Sequence, residues 1–157
     1  MPVEIERKFL VQGDYKSFAV SHSRIKQGYI CSGRGRTVRV RLRDDKGYLT
    51  IKGPSLNGGL SRYEFEKEIS VDEALSLLCL CEPGMVDKIR WLVPVGKHVF
   101  EVDEFFGENE GLVLAEVELA EEAEDFERPA FLGMEVTGDR RYYNSSLKAN
   151  PYKTWNK

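Results

Sequence analysis

The chain has 157 residues, of which 41% are apolar and 31% are charged, a balance typical of a folded globular protein. The formal net charge of -3, from 23 basic and 26 acidic residues, argues against a dedicated nucleic-acid-binding protein. This length suits one domain over residues 1–157 with a sizeable core.

The cysteines and the N-terminal sequence indicate the compartment. Cys31, Cys79 and Cys81 make an odd number of cysteines, which fits a reducing environment better than a disulfide framework. Charged residues begin at Glu4, and no apolar run approaches the length of a membrane span. We therefore expect a cytoplasmic protein with no membrane partner.

Taken in chain order, the sequence predicts mostly β-strands. The expected strands cover residues 3–11, 25–31, 37–43, 48–52, 63–69, 86–93, 98–105, 112–119 and, as a short last strand, 135–137. A flexible loop is expected over residues 53–59. Few helices separate the strands, which indicates an α+β protein, mainly antiparallel β, and is compatible with a closed barrel.

The helices are fewer and shorter. Ser70 and Glu73 form a capping box that opens a helix, and Pro83-Gly84 ends it. A short helix or turn is expected over residues 14–23, a second helix over 120–125, and a final turn or helix over 142–148.

Most strands carry charges on one face and apolar side chains on the other. Side chains alternate along a strand, so Glu4, Glu6 and Lys8 share one face. Five later strands repeat the pattern with one sign each, in the rows Arg39-Arg41-Arg43, Glu64-Glu66-Glu68, Lys88-Arg90, Glu101-Asp103 and Glu116-Glu118. The wet face of an ordinary antiparallel sheet explains any single strand. Repeated like charges two residues apart are unfavourable on a plain surface, so the set favours a binding site.

A sheet closed with this face inward would form a charged tunnel. Charges there are costly unless they are paired or bind ions. Carboxylates without soft ligands favour Mg²⁺ or Mn²⁺ over Zn²⁺, and arginine suits a phosphate group. The pattern therefore indicates a metal–polyphosphate site.

The segment Glu4-Ile5-Glu6-Arg7-Lys8 resembles the ExExK signature of CYTH proteins, the triphosphate tunnel metalloenzymes. Further segments resemble the same family in order, namely Gln27-Gly28-Tyr29, Arg39-Val40-Arg41, Leu49-Thr50-Ile51-Lys52-Gly53, Arg62-Tyr63-Glu64-Phe65-Glu66, Lys88-Ile89-Arg90, Glu101-Val102-Asp103, Glu116-Val117-Glu118, Glu135-Val136-Thr137 and Arg141-Tyr142-Tyr143-Asn144. The resemblance covers essentially the whole chain. It implies an eight-stranded antiparallel barrel forming a tunnel, and metal-dependent hydrolysis of a triphosphate.

The resemblance also implies roles for particular residues. The expected phosphate-binding residues are Lys8, Arg39, Arg41, Lys52, Lys88 and Arg90. The expected metal ligands are Glu4, Glu6, Glu64, Glu66, Glu116 and Glu118, with Asp103 as an extra candidate. Catalytic roles are expected for Glu4, Glu6, Lys8 and Lys52. For Tyr29, contact with the substrate and a structural role are equally expected. Arg43, Glu68 and Glu101 are expected at the rim or in structural ion pairs.

Three kinds of function stay open. The first is hydrolysis of inorganic tripolyphosphate to pyrophosphate and phosphate. The second is a class IV adenylyl cyclase making cyclic AMP and pyrophosphate from ATP, or a nucleoside or thiamine triphosphatase. The third is a non-catalytic polyphosphate-binding domain. The loop over residues 53–61 has no aromatic residue for stacking on a base, and Trp91 falls on the apolar face, so the inorganic substrate is favoured.

The apolar face of the expected barrel has few helices to cover it. We therefore expect a homodimer that buries part of this face.

Overall fold

The computed structural model describes residues 3–155, so the outermost residues of the expected 1–157 domain lie outside it. Within this range, the strands are β1 (Val3–Val11), β2 (Ser21–Gly33), β3 (Arg36–Arg43), β4 (Lys46–Leu56), β5 (Ser61–Ile69), β6 (Val86–Val95), β7 (His98–Phe105), β8 (Val113–Glu118) and β9 (Leu132–Glu135). The α-helices are α1 (Val71–Leu78) and α2 (Asn144–Leu147). Neither is long and apolar enough to cross a membrane, nor is any other helix in this range.

Eight of the strands close into an antiparallel barrel. The hydrogen-bonded order is β5-β4-β3-β2-β6-β7-β8-β1, and β1 pairs again with β5 through the partners Val3 with Tyr63 and Ile5 with Ser61. Strand β9 pairs with the C-terminal part of β1, outside this ring. The predicted closed eight-stranded barrel is therefore confirmed, and β9 is an addition to it.

The helix α1 covers the outer face of β2, β3 and β4. Its predicted capping box is present, because Ser70 Oγ accepts from the Glu73 N–H and the Glu73 carboxylate accepts from the Ser70 N–H. The helix packs so closely that a Cβ atom on Gly47 would lie 2.8 Å from the Cβ of Ala74. Glycine at this position lets the helix approach the strand.

Irregular segments of the chain cover the outer face of β1, β6, β7 and β8. The outward side chains Phe9, Phe100 and Val117 are fully buried. They form one core cluster with residues from the irregular segments before β2 and after β8, among them Tyr15 and Phe131. Much of the outer face is thus covered by this chain itself.

The helix predicted over residues 120–125 is wrong, since this stretch forms turns. Glu124 accepts a hydrogen bond from the N–H of Ala120 and contacts His98, while Glu122 accepts from Asn57 and Ser61. These side chains compete with a helix for local hydrogen bonds and tie the segment to the barrel.

Several predicted boundaries shift. Strand β2 begins at Ser21, so only Lys16–Phe18 of the stretch expected as a helix or turn over 14–23 is helical, and α1 ends at Leu78, before Pro83. Strand β4 continues to Leu56 instead of ending at Lys52, because a bulge between Lys52 and Ser55 takes up Gly53 and Pro54. The flexible loop expected over residues 53–59 is thereby reduced to the 3₁₀ turn Asn57–Gly59. The last strand is Leu132–Glu135 rather than 135–137.

The C-terminal segment closes one end of the barrel, here called the closed end. Val86, Phe105 and Leu114 point inward at the ends of their strands and form a buried cluster with Tyr142 and Leu147. At the opposite end, here called the open end, the charged side chains of the strands reach solvent: those of Glu66 and Glu101 are 42% and 38% exposed. The charged interior therefore opens to solvent chiefly at one side.

Candidate active site

The inward face of the barrel lines one cavity, and it gathers nearly all of the residues expected in the site. The lining includes the expected cations Lys8, Arg39, Arg41, Lys52, Lys88 and Arg90, the expected metal ligands Glu4, Glu6, Glu64, Glu66, Glu116 and Glu118, and also Tyr29. Arg43 and Glu101 line it as well. Asp103 and Glu68 do not belong to the lining.

Asp103 instead pairs with two of the cations and is itself buried. Its Oδ2 accepts from Lys88 Nζ at 2.7 Å, and both of its oxygens accept from the guanidinium of Arg90, at 2.8 and 2.9 Å. Lys88 is completely buried, and burial lowers the pKa of its ammonium to about 7 although Asp103 opposes the shift. Burial acts against the ionised form of Asp103 as well, but Arg90 and Lys88 hold its pKa well below the usual range.

Arg39 and Arg41 lie on β3, two residues apart on the same face. Arg39 Nη2 donates to Thr50 Oγ1 at 3.1 Å and lies 3.6 Å from Glu66 Oε2. Burial, followed by the charges of Arg39 and Arg90, lowers the pKa of Arg41 to about 9. The buried Nε of Arg39 finds no hydrogen-bond partner within residues 3–155. An unpaired buried donor is costly, so this N–H is an unfavourable feature of the wall as it stands.

The carboxylates form the other part of the cavity wall. Strands β1 and β8 pair Glu6 with Glu118 and Lys8 with Glu116. Lys52 Nζ lies 2.8 Å from Glu4 and 3.5 Å from Glu64, and Lys8 Nζ lies 3.5 Å from Glu116. The acidic and basic rows are therefore interleaved.

Crowding of these carboxyl groups separates their pKa values. Burial and then the neighbouring charges of Glu116 and Glu4 raise the pKa of Glu6 well above its usual value. Burial and Glu4 raise the pKa of Glu64 to about 7. Burial acts to raise the pKa of Glu116 too, but the charge of Lys8, a hydrogen bond with Glu6 and the charge of Arg90 together lower this pKa to about 2. Such crowding of acids favours a bound cation.

The donor set suits a hard divalent metal ion, since it is made of carboxylate oxygens with no sulfur or imidazole among the lining residues. Within residues 3–155, however, no three acidic, cysteine or histidine side chains are grouped closely enough to hold a metal as they stand. Glu4 and Glu64 form ion pairs with Lys52 instead, and Glu116 forms one with Lys8.

The C-terminal segment also reaches the cavity, which sequence reasoning missed. Lys8 Nζ donates to the carbonyl of Tyr142 at 3.3 Å and lies 5.2 Å from the centre of the Tyr143 ring. Asn144 Oδ1 accepts from Lys88 Nζ at 2.7 Å. The segment Arg141-Tyr142-Tyr143-Asn144 resembles the family in sequence, but none of its residues was among the expected site residues.

Tyr29 is buried on β2, and its hydroxyl accepts from Gln27 Nε2 at 3.2 Å. Gln27 was not among the expected site residues, although it belongs to a segment that resembles the family. Its amide is fully buried and lies behind the cations.

A closed antiparallel barrel, with interleaved cations and carboxylates facing one internal cavity, defines a tunnel protein that binds a polyanion together with a cation. The CYTH domain model matches residues 2–147, and the chain belongs to the CYTH family. Membership of this family implies a divalent metal ion.

Comparisons with known proteins add two relatives and one solved structure. The chain is 51% identical over 157 residues to an inorganic triphosphatase from Acetivibrio thermocellus, covering 99% of each chain. It is 38% identical over 151 residues to an inorganic triphosphatase from Nitrosomonas europaea, covering 92% of this chain and 95% of that protein. A crystal structure of an inorganic triphosphatase superposes with a TM-score of 0.66 at 31% identity, covering 92% and 97% of the two chains.

Proposed function

We propose that this protein hydrolyses inorganic tripolyphosphate to pyrophosphate and phosphate inside its tunnel, with Mg²⁺ or Mn²⁺. The observation that carries the proposal is the convergence of six buried or largely buried cations on one cavity that is also lined by carboxylates. The two inorganic triphosphatases at 51% and 38% identity support the same reaction.

The cations would bind the phosphate chain. Arg39, Arg41 and Arg90 offer planar guanidinium groups, which suit paired phosphate oxygens, while Lys8, Lys52 and Lys88 offer ammonium groups. All six side chains are largely buried, so their interaction with an anion is weakly screened by solvent. They neutralise the charge on the non-bridging and leaving-group oxygens during phosphoryl transfer.

The carboxylates would hold the metal. The candidate ligands are Glu4, Glu6, Glu64, Glu66, Glu116 and Glu118, and Asp103 would serve as the buried partner that anchors Lys88 and Arg90. Glu4 and Glu64 would exchange part of their contact with Lys52 for the metal, which frees the Lys52 ammonium for phosphate. When bound, the metal supplies charge neutralisation and a water of lowered pKa.

The remaining side chains would orient the reacting groups. The hydroxyl of Tyr29 lies in the lining beside the cations, where it can donate to a phosphate oxygen while it accepts from Gln27. No histidine lines the cavity, so proton transfer from the attacking water falls to a carboxylate of the lining.

The shape of the cavity favours an inorganic chain over a nucleotide. Tyr29 and Tyr143 are the aromatic residues of the lining within the described range, and Tyr143 is already hydrogen-bonded to Ser55 through its hydroxyl at 3.1 Å. One end is filled by the cluster around Tyr142 and Leu147. A base and ribose would therefore have to extend from the open end.

A phosphate-release panel tests this function. Tripolyphosphate, ATP, thiamine triphosphate and pyrophosphate are each supplied with Mg²⁺, with Mn²⁺ and with EDTA. We expect the highest kcat/KM for tripolyphosphate and no turnover in EDTA. Formation of cyclic AMP from ATP as the main reaction would replace the proposal with the cyclase, and tight tripolyphosphate binding without turnover would reduce the protein to a binding domain.

Matched variants connect the activity to the tunnel. Glu6→Gln and Glu118→Gln each remove one carboxylate of the lining and should abolish metal-dependent turnover. Glu68→Gln changes the same strand face as Glu64 and Glu66 but lies outside the cavity lining, so it should retain wild-type activity. Full activity in both lining variants would contradict the proposed site.

A further inference from the structure

A chain of buried hydrogen bonds joins the C-terminal segment to the cations of the cavity. Gln27 is fully buried, and its Oε1 accepts from Arg41 Nε at 2.8 Å. Its Nε2 donates to Tyr29 Oη and to Asn144 Oδ1, both at 3.2 Å. Asn144 Oδ1 also accepts from Lys88 Nζ at 2.7 Å. The side-chain oxygen of Asn144 thus contacts one cation, Lys88, directly and a second, Arg41 on another strand, through Gln27.

The chemistry of the partners fixes how both amides are turned. Arginine and lysine side chains are donors only. The oxygen of Gln27 must therefore face Arg41, and the oxygen of Asn144 must face Lys88. The amide nitrogen of Gln27 is then left pointing toward Tyr29 and Asn144, where it finds two acceptors. The alternative orientation of either amide would bring donor against donor.

We propose that Asn144 is a positioning residue of the triphosphate site, holding Lys88 directly and Arg41 through Gln27. The role assigned to the cations rests on the proposed function, whereas the hydrogen bonds do not. Without the Asn144 oxygen, Lys88 keeps its contact with Asp103 but loses the second acceptor that fixes its direction. One N–H of the buried Gln27 also loses its acceptor, so the position of the Gln27 amide, and with it that of the Arg41 guanidinium, is fixed by one hydrogen bond fewer.

A purely structural role for Asn144 makes a different prediction. The C-terminal segment is already anchored by the cluster around Tyr142 and Leu147 and by the bond from Lys8 to the Tyr142 carbonyl. If Asn144 only helped to attach this segment, its removal would lower stability and leave the affinity of the folded protein for an anion unchanged. If it positions cations, affinity changes in protein that is still folded.

The first test measures tripolyphosphate binding by calorimetry in EDTA, so that no metal and no turnover are involved. For Asn144→Ala we expect a Kd raised about tenfold, the size expected when one charge-assisted hydrogen bond is lost. Ser146→Ala is the matched control, because Ser146 lies in the same short helix and its hydroxyl makes no hydrogen bond within residues 3–155. It should bind like the wild type.

A double-mutant cycle tests the route through Gln27. Gln27→Met keeps a similar volume and removes the amide. We expect Gln27→Met and Asn144→Ala each to weaken binding, and the double variant to weaken it by clearly less than the product of the two factors, because both break the same linkage. A combined effect equal to the product would show that the two residues act independently and would overturn this route.

The second test needs no ligand. The ¹⁵N–¹H signal of Arg41 Nε reports its hydrogen bond to Gln27 in the free protein. We expect this signal to shift or broaden in Asn144→Ala and to stay unchanged in Ser146→Ala. Asn144→Asp, which keeps an acceptor at the same place, should restore the sharp signal. An Arg41 signal and a tripolyphosphate Kd both unchanged in Asn144→Ala would overturn the proposal.

The two proposals fail separately. If the wild type binds tripolyphosphate but hydrolyses none, the proposed function is wrong, and the weakened binding of Asn144→Ala still supports the positioning role. If the wild type hydrolyses tripolyphosphate and Asn144→Ala binds it equally well, the positioning role is wrong and the proposed function stands.

Discussion

Lys52 Nζ lies 2.8 Å from Glu4 Oε1, so a residue expected to bind phosphate is paired with one expected to bind metal. Both side chains are largely buried and belong to strands on either side of β5. Each group therefore compensates the charge of the other until a metal ion binds Glu4 and phosphate binds Lys52. This exchange links the binding of metal to the binding of phosphate, and it motivates the following predictions.

The ion pairs that Asp103 forms with Lys88 and Arg90 should contribute strongly to the free energy of unfolding. Asp103→Asn leaves two buried cations without their counter-charge, which should cost about 3–5 kcal/mol of unfolding free energy. Urea denaturation at neutral pH measures this. Asp87→Asn is the control, because Asp87 pairs with the half-exposed Arg24 and should cost no more than about 1 kcal/mol. Equal losses in the two variants would contradict the assigned importance of Asp103.

Stability in acid should fall as Asp103 and Glu116 are protonated. Both have a lower pKa in the folded state than in the unfolded chain, so their stabilisation is complete above the unfolded value and is lost as the pH drops through the folded one. For Glu116 this window runs from its ordinary value of 4.5 down to about 2. Glu116→Gln should therefore flatten the decrease in stability between these limits in acid denaturation curves. An unchanged curve would be inconsistent with the pairing of Glu116 and Lys8.

The contribution of Glu6 to stability should depend on pH in the opposite direction. Its pKa is higher in the folded state, so the folded protein holds a proton that the unfolded chain releases, and stability decreases as the pH rises above the unfolded value of 4.5. In EDTA, Glu6→Gln should therefore be more stable than the wild type at pH 8 and similar to it near pH 4. The same variant should lose metal-dependent activity. Thermal denaturation at the two pH values tests this, and a less stable variant at pH 8 would contradict it.

Arg39 should not be replaceable by lysine. Its guanidinium combines the bond to Thr50 with the unpartnered Nε, and lysine cannot supply this fork. Arg39→Lys should raise the KM for tripolyphosphate about tenfold or more, as the loss of one charge-assisted bond suggests. Arg24→Lys, on the barrel exterior, serves as the control and should leave KM unchanged. A wild-type KM in Arg39→Lys would remove Arg39 from the phosphate site.

The expected homodimer has a candidate surface on the outer face of β2 to β5. Cys31, Val38, Ile51 and Phe65 are successive cross-strand partners, and Ile51 and Phe65 are 39% and 42% exposed. We expect the protein to sediment as a dimer at micromolar concentration, and Phe65→Glu to sediment as a monomer. A wild-type monomer under these conditions would contradict the prediction.

Period-two alternation allowed much of this architecture to be predicted. Side chains of a barrel strand alternate between the interior and the exterior, and rows such as Arg39-Arg41-Arg43 show this alternation in the sequence itself. The capping box at Ser70 and Glu73 was equally local, since both of its hydrogen bonds lie within four residues.

Contacts between distant residues could not be predicted in this way. The pairing of Asp103 with Lys88 and Arg90 depends on the register of β6 against β7, and its place in the charged row alone suggested a metal ligand. The 120–125 stretch has helix-forming residues, but bonds from Glu122 to Asn57 and Ser61 override that preference. Asn144 lies in an aperiodic segment, and its partners Gln27 and Lys88 are 117 and 56 residues away.

The closed end of the barrel has a consequence for the order of events in catalysis. Tyr142 and Leu147 pack in a buried cluster with Val86, Phe105 and Leu114, which obstructs passage straight through the barrel. We therefore expect a ligand held by Lys8 and Lys88 to arrive and depart through the open end. Both reaction products must then leave before another substrate can be bound, and whichever product sits deeper is retained behind the one nearer the opening.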